Sequence, residues 1–254
     1  MQVVRWALIT ILKILKKILL KVQVIGLERL PANGPVILAI NHINSVDALL
    51  LRALLPRDIV AWAKAELWEN PILRVLAESL DSIPLRRGEL DVGAARLAIQ
   101  KLSEGKMLGI APEGTRSWHG RLQRGRPGIV FLAHHAPRVY ILPVALYGQE
   151  ALGQNLRRLR RTPVTVHFGQ GFYLEPGGGR VTQELRQAII DEVMAQIAAL
   201  LPTQYRGVYS DLAAASEQHL RFPPGTSSNL RLALAAGGAS ARQATPVAMQ
   251  ETGA

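Results

Sequence analysis

The sequence of 254 residues contains no cysteine. That absence excludes a disulfide framework, a thiolate metal site and a cysteine nucleophile. Aromatic residues are scarce, at 5%, which leaves little material for the base-stacking platforms of nucleic-acid binders. Acidic residues are missing from the first 27 positions, the first being Glu28. The longest charge-free run of that segment, Trp6 to Leu12, falls far short of the roughly 20 residues that cross a bilayer. Lysines follow the run and no small-residue cleavage site appears, which argues against a signal peptide. There is no P-loop, zinc-finger spacing or G-x-S-x-G nucleophile elbow.

What is present is positive charge: 30 Lys and Arg against 19 Asp and Glu, a formal net of +11. Such a balance points to an anionic partner, whether nucleic acid, a phospholipid surface or a phosphorylated substrate. A hydrophobic content of 48% with 19% charged residues excludes a wholly disordered chain. The length fits one large domain or a domain with a tail.

Residues 1–21 read as a basic amphipathic helix. At 100° per residue Lys13, Lys16, Lys17 and Lys21 share one face, and Ile11, Ile14, Leu15, Ile18, Leu19 and Val22 the other. The pattern predicts a helix lying in a membrane interface, with Trp6 at headgroup depth and Arg5 and the four lysines toward acidic lipid. At about 1 kcal/mol per basic residue, these five charges supply roughly 5 kcal/mol. The alternative is a helix packed on the protein's own core with a solvated basic face. The expectation is a peripheral protein on the cytoplasmic face of a membrane.

From Val36 onward apolar runs alternate with helical patterns, which predicts an α/β domain over 22–202 with a mostly parallel central sheet flanked by helices. Strands are expected at Val36–Asn41, Ile59–Ala63, Met107–Ala111, Val139–Ala145 and Val164–Phe168. Their unbroken apolarity suits a sheet covered on both faces. Helices are expected at Val46–Leu55, Pro71–Leu80, Asp91–Glu104, Gly128–His135 and Thr182–Leu201. Arg157, Arg158, Arg160 and Arg161 cluster on a connection, as a solvated loop or a lipid contact. Residues 203–254 read as a C-terminal extension, flexible from about residue 223, where Ala, Gly, Ser, Thr, Gln and Pro dominate.

Three polar clusters follow strands, where α/β folds place their sites. In Asn41-His42-Ile43-Asn44-Ser45-Val46-Asp47 a His stands five residues before an Asp at a helix start. The Asp can fix the imidazole tautomer and leave the other ring nitrogen to take a proton from a hydroxyl. Ala111-Pro112-Glu113-Gly114-Thr115-Arg116-Ser117 offers a tight turn at Gly114 and a guanidinium fork suited to phosphate at Arg116. Ile83-Pro84-Leu85-Arg86-Arg87-Gly88 is a short apolar strand that delivers two guanidiniums. Singly, each has a plain structural reading: an N-cap Asp, a turn with an ion pair, exposed arginines.

In this order and spacing the clusters resemble the conserved blocks of the PlsC-like glycerolipid acyltransferases, a family that includes the 1-acyl-glycerol-3-phosphate acyltransferases. Asn41-His42 to Asp47 is similar to the family's N-H-x4-D block, and Pro112 to Ser117 matches its third block almost letter for letter. Ile83 to Gly88 resembles the second block. Leu142-Pro143-Val144-Ala145 is similar to the fourth, and Arg126-x-Gly128 resembles a basic K-x-G element. The resemblance spans roughly residues 22–200. Three positions depart from the pattern: Ala111 replaces a usual aromatic, Arg86 replaces a usual Asp or Asn, and Asn44 replaces a common serine.

The resemblance implies a glycerol-3-phosphate acyltransferase-like fold and transfer of a fatty acyl group from acyl-CoA or acyl-ACP. The acceptor is the hydroxyl of a lysophospholipid, 1-acyl-glycerol-3-phosphate first, with glycerol 3-phosphate or another polar lipid as alternatives. It implies His42 as general base oriented by Asp47, and Arg87, Arg116 and the added Arg86 on the acceptor phosphate. Glu113, Gly114 and Thr115 would shape the substrate loop and Pro143 the acyl-donor region. No cofactor or metal is expected, and the co-substrate thioester is attacked directly, as suits a chain without cysteine. A basic nucleic-acid-binding protein is the distant rival; it explains the charge but none of the polar clusters.

Overall fold

The structure is a computed structural model that describes residues 2–44, 46–86, 91–136, 138–177 and 181–243. Helix α1 (Gln2–Leu19) runs directly into strand β1 (Leu20–Ile25). The α/β alternation then proceeds through β2 (Val36–Ile40), α2 (Asp47–Leu54), β3 (Ile59–Lys64), α3 (Pro71–Ser79) and β4 (Ile83–Leu85). It continues with α4 (Val92–Ser103), β5 (Met107–Ile110), α5 (Gly128–His135) and β6 (Tyr140–Tyr147). The last part holds α6 (Leu152–Arg157), β7 (Thr162–Phe168), β8 (Tyr173–Leu174), α7 (Gln183–Leu200), β9 (Leu220–Arg221) and α8 (Asn229–Gln243).

The main sheet has seven strands in the order β1-β7-β6-β2-β5-β3-β4. All neighbours are parallel except β6 and β7, which meet antiparallel through Val144↔Phe168 to Tyr147↔Thr165. Alternation along β2 divides the core. Ile37 and Ala39 face the helices α4, α5 and α7 on one side. Val36, Leu38 and Ile40 face α2 with Leu50 and Leu51 on the other. Both faces are covered, so the central strands are apolar at successive positions rather than at every second one.

Local sequence sets the helix starts. Asn70 Oδ1 accepts from Ile72 and Leu73 N–H ahead of α3, with Pro71 in the first turn. Thr182 Oγ1 accepts from Leu185 N–H ahead of α7. In α7 the stripe Ile189, Val193 and Ile197 is fully buried.

Three expectations are corrected. The N-terminal helix stops at Leu19, and Lys21 stands in β1, an edge strand paired with β7 from Leu20↔Thr162 onward. No glycine, proline or cap marks that junction; pairing with a strand some 140 residues away ends the helix. The basic face of α1 is also divided. Arg5 ion-pairs Asp58, and Lys16 Nζ approaches Ala53 O at 3.5 Å, so both turn toward the protein. Burial, with Lys13 nearby, lowers the Lys16 ammonium below its ordinary range. Lys13 and Lys17 remain exposed beside an uncovered apolar stripe of Ile11, Ile14, Leu15 and Ile18, with Trp6 also exposed.

The third correction concerns the chain after residue 223, expected to be flexible. Asn229 N–H and Nδ2 donate to Gln196 Oε1 at 3.0 and 3.1 Å, Nδ2 also donates to Gln170 O, and Leu230 is buried. These contacts seat the start of α8 on α7. Upstream, Glu192 accepts from Ser216 Oγ and from the backbone N–H of Gln218 and His219. Buried polar groups of α7 thus hold a segment whose own composition is too polar and too small to build a core.

Candidate active site

β2 lies at the centre of the sheet, and its carboxyl end carries the first polar cluster. Asn41 is buried and closes the strand end: its Nδ2 donates to Leu146 O at 2.8 Å and its Oδ1 accepts from Leu146 N–H at 2.7 Å. This exchange mimics a ladder pair with β6 and fixes where the next residue, His42, leaves the sheet.

His42 Nδ1 lies 2.9 Å from Asp47 Oδ2. The Asp47 side chain is completely buried, and that of His42 is 19% exposed. Asp47 Oδ2 also accepts from the backbone N–H of Ile43 and Asn44, each at 2.9 Å, and Oδ1 accepts from Gln149 Nε2 at 3.0 Å. A carboxylate surrounded by donors has only acceptor character to offer the imidazole. Nδ1 therefore carries the proton, and the Nε2 lone pair is free to accept one.

The P-E-G-T-R segment follows β5, the neighbour of β2, and is laced to the His42 loop. Glu113 Oε1 accepts from His42 N–H at 3.0 Å, its Oε2 accepts from Gln123 N–H at 3.0 Å, and Ser117 N–H donates to His42 O at 2.8 Å. Burial pushes the Glu113 carboxyl above its ordinary range, opposed by these backbone bonds. Glu113 is thus a buried brace beneath the loop. Gly114 has φ of +71°, a left-handed conformation that favours glycine. Arg116 is half-buried with its guanidinium 4.8 Å from the Trp118 ring centroid.

A cavity of about 820 Å³ opens beside this loop, walled by α4 and α5. Arg86, Gly114, Thr115 and Arg126 line it, together with Trp62, Leu85, Ile99, Ala111 and Phe131. Polar groups from the second and third clusters meet an apolar chamber there, the usual character of a small-molecule site. His42 and Asp47 are not among its lining residues; the dyad is tied to the loop that borders it through Glu113 and Ser117. Arg87 lies outside the described residues. Pro143 is buried within β6 opposite Ala39, inside the strand expected there; its carbonyl accepts from Gly169 N–H, and it is not among the cavity's lining residues. It sits where the antiparallel pairing with β7 is about to begin. Among the described residues no group of three His, Asp or Glu is arranged to hold a metal ion.

The acyltransferase family model matches residues 21–147, half of the chain. The chain belongs to the acyltransferase family. It is 32% identical over 130 residues to the 1-acyl-sn-glycerol-3-phosphate acyltransferase of Borreliella burgdorferi, covering 50% of this chain and 52% of that protein. The enzyme of the same name from Bacillus subtilis is 32% identical over 97 residues, covering 38% and 49%. That from Cocos nucifera is 35% identical over 144 residues, covering 54% and 46%. The chain spans about half the length of the curated relatives it matches. The crystal structure of the 1-acyl-sn-glycerophosphate acyltransferase PlsC from Thermotoga maritima superposes with a TM-score of 0.55 at 24% identity, covering 74% of this chain and 78% of that one. That likeness shows a shared fold.

Within this candidate site the sequence left one buried neighbour unnoticed. Gln149 is fully buried and reaches Asp47 from the connection after β6. A lone Gln more than 100 positions away carries no local signal. Only the adjacency of β2 and β6 brings it to the dyad.

Proposed function

We propose that the protein transfers a fatty acyl group from acyl-CoA or acyl-ACP to the free hydroxyl of 1-acyl-glycerol-3-phosphate, giving phosphatidic acid. The observation that carries this reading is the His42–Asp47 dyad, whose Nε2 has no hydrogen-bond partner among the described residues, tied to the loop that bears Arg116. In the reaction the acceptor hydroxyl gives its proton to His42 Nε2 as its oxygen bonds to the thioester carbonyl carbon. The carbon–sulfur bond then breaks and the thiol departs with the proton. Asp47 holds the tautomer and stabilises the imidazolium. A thiol of pKa about 8.5 leaves readily, so little further acid catalysis is required. The family relatives act on a phosphate-bearing acceptor by name, and Arg86, Arg87 and Arg116 are the proposed phosphate contacts, made as bidentate forks. The cavity beside Thr115 is the proposed home of an acyl chain.

We place the reaction at a membrane surface on its cytoplasmic side, where α1 lies in the interface with Ile11, Ile14, Leu15 and Ile18 inward. Lys13, Lys17 and Lys21 are the proposed lipid-facing cations; Arg5 and Lys16 serve the protein. No helix among the described residues is long and apolar enough to cross a membrane, so an in-plane helix is the form of contact that fits.

The test uses purified protein, a labelled acyl thioester and a panel of acceptors. Transfer to 1-acyl-glycerol-3-phosphate is expected, and His42→Ala is expected to lose about 10²–10⁴-fold in kcat with an unchanged melting temperature. Near-normal activity in that variant would overturn the assignment of the base. Transfer only to glycerol 3-phosphate or to another polar lipid would replace the acceptor and keep the chemistry.

A further inference from the structure

The connection between β6 and β7 has a second end that the acyl-transfer reading does not use. There α6 closes with Leu159 N–H donating to Leu156 O and Arg160 N–H donating to Asn155 O. This pairing is a Schellman motif, whose left-handed position is ordinarily glycine or asparagine. The position is held by Leu159, with φ of +52°. A side chain in that conformation costs about 1 kcal/mol or more, and Leu159 recovers none of it by packing, because it is 94% exposed. Leu156, on the same turn, is 52% exposed. Arg157, Arg158 and Arg160 surround the two leucines, all exposed. None of the three has a carboxylate partner among the described residues.

The turn is continuous with the end of α1. Thr162, which opens β7, pairs with Leu20 at the start of β1, and Arg161 donates to Leu20 O through Nη2 at 2.6 Å and Nε at 3.2 Å. Ile18, 59% exposed, and the exposed Lys17 and Lys21 therefore neighbour it. β7 runs opposite to β6 and β2, so its beginning lies at the end of the sheet that carries His42.

We infer that the α6–β7 turn is a second lipid contact, in which Leu156 and Leu159 enter the interface of an anionic bilayer and Arg157, Arg158 and Arg160 meet its phosphates. The inference rests on the membrane reading given for α1. A solvated loop has no use for a leucine at a glycine site; an interfacial anchor does. With α1 it makes two footholds at the active-site end of the sheet. The connection that places Gln149 on Asp47 is then itself held against the membrane.

Because the chain has no cysteine, Leu159→Cys gives a unique attachment point for an environment-sensitive fluorophore on the full protein. Its emission is expected to shift to the blue with vesicles of equal parts phosphatidylcholine and phosphatidylglycerol. Leu159→Gly relieves the backbone strain, so its melting temperature stays equal or rises. Its vesicle affinity falls by about tenfold, the loss expected for one buried leucine side chain. The combined Arg157→Gln, Arg158→Gln and Arg160→Gln variant is expected to lose about 100-fold on the anionic vesicles, at about 1 kcal/mol per charge. An unshifted label together with wild-type affinity in both variants would overturn the inference. If Ile14→Ser with Ile18→Ser releases the protein from vesicles while Leu159→Gly does not, the turn is excluded and the α1 reading stands. A wild-type protein that binds no vesicle overturns both.

Discussion

Gln149 Nε2 donates to Asp47 Oδ1 at 3.0 Å, joining the connection after β6 to the carboxylate that holds His42. Both side chains are fully buried, so the bond is shielded from competing water. Asp47 consequently has one oxygen committed to His42 and the His42 loop and the other to Gln149.

Removing that donor is expected to slow the chemical step. Gln149→Ala leaves a buried carboxylate oxygen short of a partner, a loss of about 1–3 kcal/mol. Expressed fully in the chemical step, that corresponds to a fall of roughly five- to 160-fold in kcat, with the KM of both substrates unchanged. Gln149→Glu gives a sharper readout. Its protonated form donates like the amide, whereas its ionised form repels Asp47, so activity should fall as pH rises in this variant and not in Gln149→Ala. A KM effect alone, or identical pH profiles, would refute a positioning role.

Gly114 holds φ of +71°, and a Cβ there would meet Arg126 Cδ at 2.9 Å. Gly114→Ala is expected to cost about 1 kcal/mol in backbone strain and to displace the Arg126 side chain from the cavity wall. Combining it with Arg126→Ala should remove the clash and leave the strain. Activity losses in the double-mutant cycle are then less than additive, and strict additivity would show that the two residues do not meet.

Ala111 lines the cavity at a position where the resemblance leads one to expect an aromatic ring. Ala111→Phe inserts a ring into the chamber proposed for an acyl chain. The expected outcome is a shift of donor preference toward shorter chains, read from kcat/KM across a thioester series, with acceptor KM little changed. An unaltered chain-length profile would separate the cavity from the acyl chain.

Asp81, at the turn into β4, accepts from Lys106 Nζ at 2.9 Å and Lys101 Nζ at 3.1 Å. Burial raises its carboxyl, but the bonds and charges of the two lysines outweigh burial and hold it below the ordinary carboxylate range. A depressed carboxyl stabilises the fold above the unfolded-state value, and that contribution is lost as pH falls through the folded-state value. Asp81→Asn, which tolerates the left-handed backbone there (φ of +54°), should lower the urea midpoint near neutral pH. The difference from wild type should begin to shrink below the ordinary Asp value of about 3.9 and close once pH has fallen through the lower folded-state value.

The β-α alternation, the strand runs at Val36, Met107 and Val139, and the helix starts near Pro71 and Thr182 were all legible in the sequence, because each depends on neighbours a few positions away. So was the dyad, since the four residues between His42 and Asp47, running from a strand end to a helix start, suffice to close one on the other. β1 was hidden because nothing local stops α1: Lys21 and Val22 extend a helical period equally well, and only β7 supplies the competing hydrogen bonds. The division of the N-terminal cations was hidden for the same kind of reason. Helical periodicity assigns faces but not neighbours, and Asp58 and the Ala53 carbonyl claim Arg5 and Lys16.

The family was legible in the order and spacing of short blocks over residues 22–200, and the sheet's parallel character and the closing of His42 on Asp47 in patterns no longer than a βα unit. Long-range contacts were needed to show that Gln149 braces Asp47 and that Glu113 lies beneath the loop. They also tie the turn bearing the exposed Leu159 to Leu20, at the end of α1, through Arg161. Each of these depends on which strands become neighbours, and strand order follows from burial of two apolar faces at once, a condition no single segment expresses.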